Sequence, residues 1–236
     1  MTCNRSSSWV SRCCTMSAWK VRPREQITGG VMFRRIVVSL VAMLGISMAQ
    51  AKTISDLDAA GALLAKQSGQ PLRSFSTRDF GRDKFHNARS VLVEPAMAGA
   101  LVDRLRKQLA PGLVAFVGTG SSLANPPVQG TEVIVGKGAS QLDIVRIAAS
   151  DAINYGMGTE DLIRKLRQWD DAYGIDIYMA DTDTIQLRLK RLPPDLPAFA
   201  KEVYAFCPDI VDQGVGSVEA LEQAIRESRE VYLWWD

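Results

Sequence analysis

Residues 184–191, TIQLRLKR, constrain the fold more than any other stretch. Ile185, Leu187 and Leu189 alternate with Gln186, Arg188 and Lys190. Strand side chains point to opposite faces with period two, so this segment has one dry face and one wet face. It is a half-buried strand. IDIYMA (175–180) precedes it as a second strand, and Asp181-Thr182-Asp183 turns the chain between them. Such an acidic pair serves a hairpin turn in preference to a weak calcium site.

Helical patterns surround this pair. Thr159 is a cap with Glu160 and Asp161 in the first turn, where acids suit the positive end of the dipole. Leu162, Leu166, Trp169 and Tyr173 then form a buried stripe that ends at Gly174. Asp195 caps a helix with Phe199, Val203 and Phe206 facing inward, and Ser217 caps another with Val218, Leu221 and Ile225. EVYLWW (230–235) is a last strand, and LDIVRIAA (142–149) is expected as the first strand of this half. Upstream, Thr53 to Gly69 forms a short helix capped by Thr53 or Ser55, and RSVLVEP (89–95) a strand. Pro95 starts a helix whose Met97, Leu101, Leu105 and Leu109 repeat every fourth residue. LVAFV (113–117) and TEVIV (131–135) follow as strands.

The fold class is therefore α/β (α+β). A ferredoxin-like split β-α-β-β-α-α-β C-terminal unit follows a smaller β-α-β-β unit. Whether the two halves share one sheet is left open by the pattern.

Three segments of the second half carry a resemblance: INYGMGTEDLIRKLRQWDDAYGIDI, FCPDIVDQG and the terminal YLWWD. Over about residues 139–236 the chain resembles the DUF4253 family of uncharacterised bacterial proteins. The resemblance implies that the closing stretch is the family's hallmark, and it brings no activity with it. Residues 52–138 are a separate N-terminal α/β region that it does not explain.

The beginning of the chain concerns address. Residues 32–51, MFRRIVVSLVAMLGISMAQA, have a basic start at Arg34 and Arg35, an apolar run and a small-residue ending. This is the pattern of a secretory signal peptide, cleaved before Lys52. The run is shorter than the ~20 residues of a comfortable membrane span, so no stable span is expected after cleavage. Met32 is then the natural start, and residues 1–31 are a mis-called start or a disordered leader. The expected location is periplasmic or secreted.

Cleavage changes the charge. The whole chain has a net charge of +2, but residues 1–51 hold seven Lys/Arg and one Asp/Glu. The remainder carries 21 basic and 25 acidic residues, a net of −4, which argues against nucleic acid as a partner. Of four cysteines only Cys207 lies beyond residue 51, so no internal disulfide is expected there. It is expected to be buried at a helix end.

Chemistry-bearing residues are few. One histidine, His86, and one cysteine cannot make a zinc site of the usual kind, and no nucleophile elbow stands near His86. Gly118-Thr119-Gly120-Ser121-Ser122 lacks the Gly-Lys-Ser/Thr ending of a phosphate loop. No cofactor and no metal is expected. Arg146, Tyr178, Arg188, Lys190 and Trp234 would share a wet sheet face of the kind that reads single-stranded RNA. Export and the acidic charge oppose that role, and cover by residues 52–138 is the expected arrangement.

The best candidates lie in the closing stretch. Pro208 ends a helix, Gly214 and Gly216 permit a tight return, and Asp209 and Asp212 lie between them. These acids either serve turns and caps or face a cleft. Asp236 doubles its charge with the chain terminus and is expected to pair with Arg146 or Arg188. Asn154 and Tyr155, in a strand-to-helix loop, and Gln213 and Trp234 complete the binding candidates. The reading is an exported module that binds a partner protein or small ligand. The alternative is a hydrolase or lyase with Asp209 or Asp212 as acid/base, oriented by Gln213 and Asn154.

Overall fold

Seven strands form one mixed sheet in the order β1-β2-β4-β3-β5-β6-β7. The structure is a computed structural model that describes residues 53–76, 84–122 and 124–236. The expected signal peptide and leader lie outside the described residues.

The elements in chain order are α1 (Leu57–Ser68), β1 (Arg73–Ser76), β2 (Lys84–Val93), α2 (Pro95–Arg106), β3 (Gly112–Val117) and β4 (Thr131–Gly138). They continue with α3 (Asp143–Ala148), α4 (Thr159–Tyr173), β5 (Ile175–Ala180), β6 (Thr184–Leu189), α5 (Leu196–Phe206), α6 (Val218–Ser228) and β7 (Glu230–Trp234). This is the mixed α/β class that the pattern implied. The expected boundary at 138/139 falls just after β4, within one continuous sheet.

β1 is a strand that the pattern did not give, and one expected element changes type. Residues 142–149 are a helix, α3, where a strand was expected. Asp143 accepts the backbone N–H of Ser140 at 3.0 Å, and the Ser140 hydroxyl accepts that of Leu142 at 3.3 Å. Ile144, Val145, Ile147 and Ala148 are buried, so the apolar run forms one broad face of the helix. The C-terminal half therefore enters the sheet as β5-β6-β7, neighbours in sequence order.

Two helix caps also move. Asp56, not Thr53 or Ser55, caps α1 by accepting from Ala59. Asp161 closes the start of α4 by accepting the N–H of Gly158 at 2.9 Å, in place of a Thr159 cap.

Burial follows the alternation. Ile185, Leu187 and Leu189 of β6 lie in a core with α3, α4, α5 and α6. Val231, Leu233 and Trp235 join that core. A second core places α1 and α2 on Val91, Val93, Leu113, Ala115, Val133 and Val135. Helices thus flank both faces of β2-β4-β3.

The wet face of β5-β6-β7 is half-exposed, not covered by residues 52–138 as expected. Tyr178 donates to Gln186 and Glu230, and Arg188 stacks 4.2 Å over the Tyr178 ring and bonds Glu230 at 3.1 Å. Arg146 is not on this face. It projects from α3 to Asp143 and Glu160.

Aromatic rings connect the helices to the chain end. Trp169 meets Phe199 and Phe206 edge-on at 5.2 and 5.5 Å, and Phe206 meets Trp235 at 5.4 Å. Each such pair adds about 0.5–1.5 kcal/mol beyond the area it buries.

Candidate functional site

The closing stretch is built around the end of α5. Cys207 leaves the helix, and Pro208 removes the donor that would continue it. Residues Ile210–Val215 then form a π-turn with Ile210 and Val211 buried. Gly216 takes φ 86°, which an L side chain adopts only with strain, and Ser217 caps α6 through Ala220.

This bend grips the last strand. The Cys207 thiol donates to the Trp234 carbonyl at 2.9 Å and accepts from the Trp234 N–H at 3.2 Å. Asp209 Oδ2 accepts the Asp236 N–H at 2.8 Å. The Trp235 indole donates to the Phe206 carbonyl at 3.1 Å. β7 pairs with β6 on one side only. On its outer side, Cys207 and Asp209 take the hydrogen-bonding place of a neighbouring strand. An edge left open would invite pairing with another chain.

Asp209 is the hub. It is buried, and its Oδ1 accepts from the Tyr155 hydroxyl at 2.7 Å and from Gln213 Nε2 at 3.0 Å. Burial pushes its pKa up, but the Tyr155, Asp236 and Gln213 donors together outweigh that and hold it below the ordinary carboxylate value. The bond to Asp209, helped by burial and nearby negative charge, pushes the Tyr155 phenol up to about 12. Burial pushes the Cys207 thiol up to about 12, against the lowering pull of the Trp234 and Ile210 backbone donors. A thiol so placed is protonated and closed to solvent, as expected of a structural cysteine.

Four of the expected site residues are thus brought together: Tyr155, Asp209, Gln213 and Asp236. Trp234 joins through its backbone. Asp212 does not join. It is exposed and accepts from the Tyr204 hydroxyl at 3.0 Å. Asp209 and Asp212 are bonded to different tyrosines, Tyr155 and Tyr204. Asn154 is exposed beside Tyr155. The expected pairing of Asp236 with Arg146 or Arg188 is corrected: Arg146 holds Asp143 and Glu160, and Arg188 holds Asp176 and Glu230. Among the described residues, no group of three His, Cys, Asp or Glu is placed to hold a metal, and no helix is long and apolar enough to cross a membrane.

Tyr155 connects this hub to a surface loop. Ala152 and Met157 exchange backbone hydrogen bonds at 2.9 and 3.1 Å, which closes the loop at its base. Ile153–Tyr155 form a 3-10 turn ended by Gly156 at φ 68°. Asp151 N–H donates to Thr182, tying the loop to the β5–β6 turn. At the tip Ile153 is 76% exposed and Tyr155 39% exposed.

Comparison with known families places the clamp and the loop in one unit. Residues 132–236 match the family model of DUF4253, a domain of unknown function. No curated protein and no solved structure matches the chain. The DUF4253 segment begins in β4 and includes the bend, the last strand and the loop. It leaves β1, β2, α1, α2 and β3 outside the match, although they complete the same sheet.

Proposed function

We propose that this chain is an exported module that binds a partner protein through the loop 153–157. The observation that carries the reading is Ile153, a large aliphatic side chain 76% exposed at the tip of a loop tied at base, flank and hub. A rigid loop presents apolar surface without an ordering cost on binding, and such surface is typical of recognition sites. Tyr155 beside it has an apolar ring and a fixed hydroxyl, a residue type enriched at interfaces. The hydrolase or lyase alternative draws little support, because both oxygens of Asp209 are already engaged.

Export rests on the signal-like residues 32–51. It is compatible with Ala51–Asp236 forming a unit by itself, whose Ile54 is tied to Gln108 and Ala110. Mass analysis of the mature protein from the native host should give Lys52 as the first residue; an intact chain would remove export from the proposal.

A photo-crosslinking residue placed at Ile153, with Gln223 on the exposed side of α6 as control, tests the binding role. A discrete adduct at position 153 alone, competed by wild type but not by Ile153→Asp, is expected. The same adducts at both positions would defeat the reading.

A further inference from the structure

The parallel pair β3–β5 is joined at a single register position, Val117 with Met179, near the C-terminal ends of both strands. Toward their N-terminal ends the strands part, and two side chains fill the fork. Arg106, the last residue of α2, donates from Nε to the Ala115 carbonyl at 2.8 Å and from Nη2 to the Ile177 carbonyl at 2.5 Å. Gln141 accepts the Ile177 N–H at 2.9 Å and donates to the Ile175 carbonyl at 3.0 Å. Backbone groups that a parallel ladder would use are thereby satisfied, and a cavity of about 360 Å³ stays open between the strands.

Its walls are mostly apolar: Leu109, Pro111, Leu113, Val114 and Ile144 line it. Arg106 and Asp176 also line it, bonded to each other at 2.6 Å. A guanidinium has five N–H donors, and Arg106 has committed three, so one N–H remains on each terminal nitrogen. Asp176 Oδ2 has only the Arg188 guanidinium at 3.6 Å, beyond a good hydrogen bond. This open depression therefore offers a positive and a negative group side by side next to apolar walls. Arg188 and Glu230 extend the same network on the sheet face and leave the local charge balanced.

We propose that this fork is a binding site for a small zwitterion, an α-amino acid with an apolar side chain. Its carboxylate takes the remaining Arg106 donors, its ammonium takes Asp176 Oδ2, and its side chain lies against Leu113, Val114 and Ile144. An anion or a cation alone would meet the opposite charge of the pair as well as its own partner. A zwitterion matches both, and the volume suits a ligand of about ten non-hydrogen atoms. The site is at the other end of β5 from the loop 153–157 and stands independently of the partner reading.

The test is calorimetric titration of the full folded chain with L-leucine, 4-methylpentanoate and isoamylamine, the last two lacking one charged group each. Saturable leucine binding is expected, with each half-ligand about tenfold weaker or worse. Ala110→Phe fills the mouth of the cavity from a half-exposed turn and should abolish leucine binding while circular dichroism is unchanged. Asp176→Asn keeps a bond to Arg106 and should reduce leucine to the level of 4-methylpentanoate. The proposal is overturned by no saturable heat with leucine, valine or phenylalanine. It is equally overturned by 4-methylpentanoate matching leucine, or by folded Ala110→Phe binding leucine as the wild type does.

Discussion

Replacing Asp209 with alanine removes three hydrogen bonds to one carboxylate: from Tyr155, Gln213 and the Asp236 N–H. Hydrogen bonds to a charged group are worth about 1.5–3 kcal/mol each in net terms. Tyr155 and Gln213 are exposed enough to turn to water after the change, which recovers part of the loss. Relief of the buried charge recovers more. The expected cost is about 2–4 kcal/mol, which lowers Tm by roughly 5–12 °C for a folded unit of this size.

The cost should depend on pH. The folded-state pKa of Asp209 is depressed, so its contribution is present above the unfolded value near 4 and is lost as pH falls through the folded value. The wild type and Asp209→Ala should therefore differ fully at pH 7 and begin to converge as pH falls below about 4. Urea unfolding followed by tryptophan fluorescence reads both. A variant within about 0.5 kcal/mol of wild type at pH 7 would refute the hub, because surface changes of no consequence fall in that range.

Two further outcomes rest on buried groups of the same fold. The Cys207 thiol should resist iodoacetamide in the native chain at pH 8 and react when urea unfolds it, since burial pushes it up to about 12; rapid native labelling would contradict its place behind β7. Gly118→Ala should destabilise by about 1–3 kcal/mol in urea titration, because an added Cβ would lie 2.5 Å from Ile134 Cδ1 in the core; an unchanged midpoint would show that Ile134 yields freely.

Local pattern carried much of the fold. The alternation at 184–191 gave β6 its buried face, and the stripes of α4, α5 and α6 are buried where the spacing placed them. Residues 142–149 misled because Ile and Val favour strands, yet their buried positions 144, 145, 147 and 148 follow helical spacing. Ser140 three residues before Asp143 was the available cap signal.

The hub was half legible. Tyr155, Asp209 and Gln213 are polar residues in connecting segments beside glycine or proline, which is where sites are sought, whereas Asp236 follows the last strand. The two hydrogen bonds between Cys207 and Trp234 span 27 positions and leave no periodic trace. The same holds for Arg106 and Gln141, which meet at the fork only because β3 and β5 diverge. Side chains that replace ladder bonds depend on register between distant strands, and register is not written in any one window.

Amide hydrogen exchange at Trp234 and Asp236, read by NMR in wild type and Asp209→Ala, tests the clamp most directly. Strong protection of both amides in the wild type, with Asp236 losing its protection first in the variant, is the predicted result. Exchange of both at unstructured-peptide rates in the wild type would mean that the chain end is not held by the bend, and the account would fail with it.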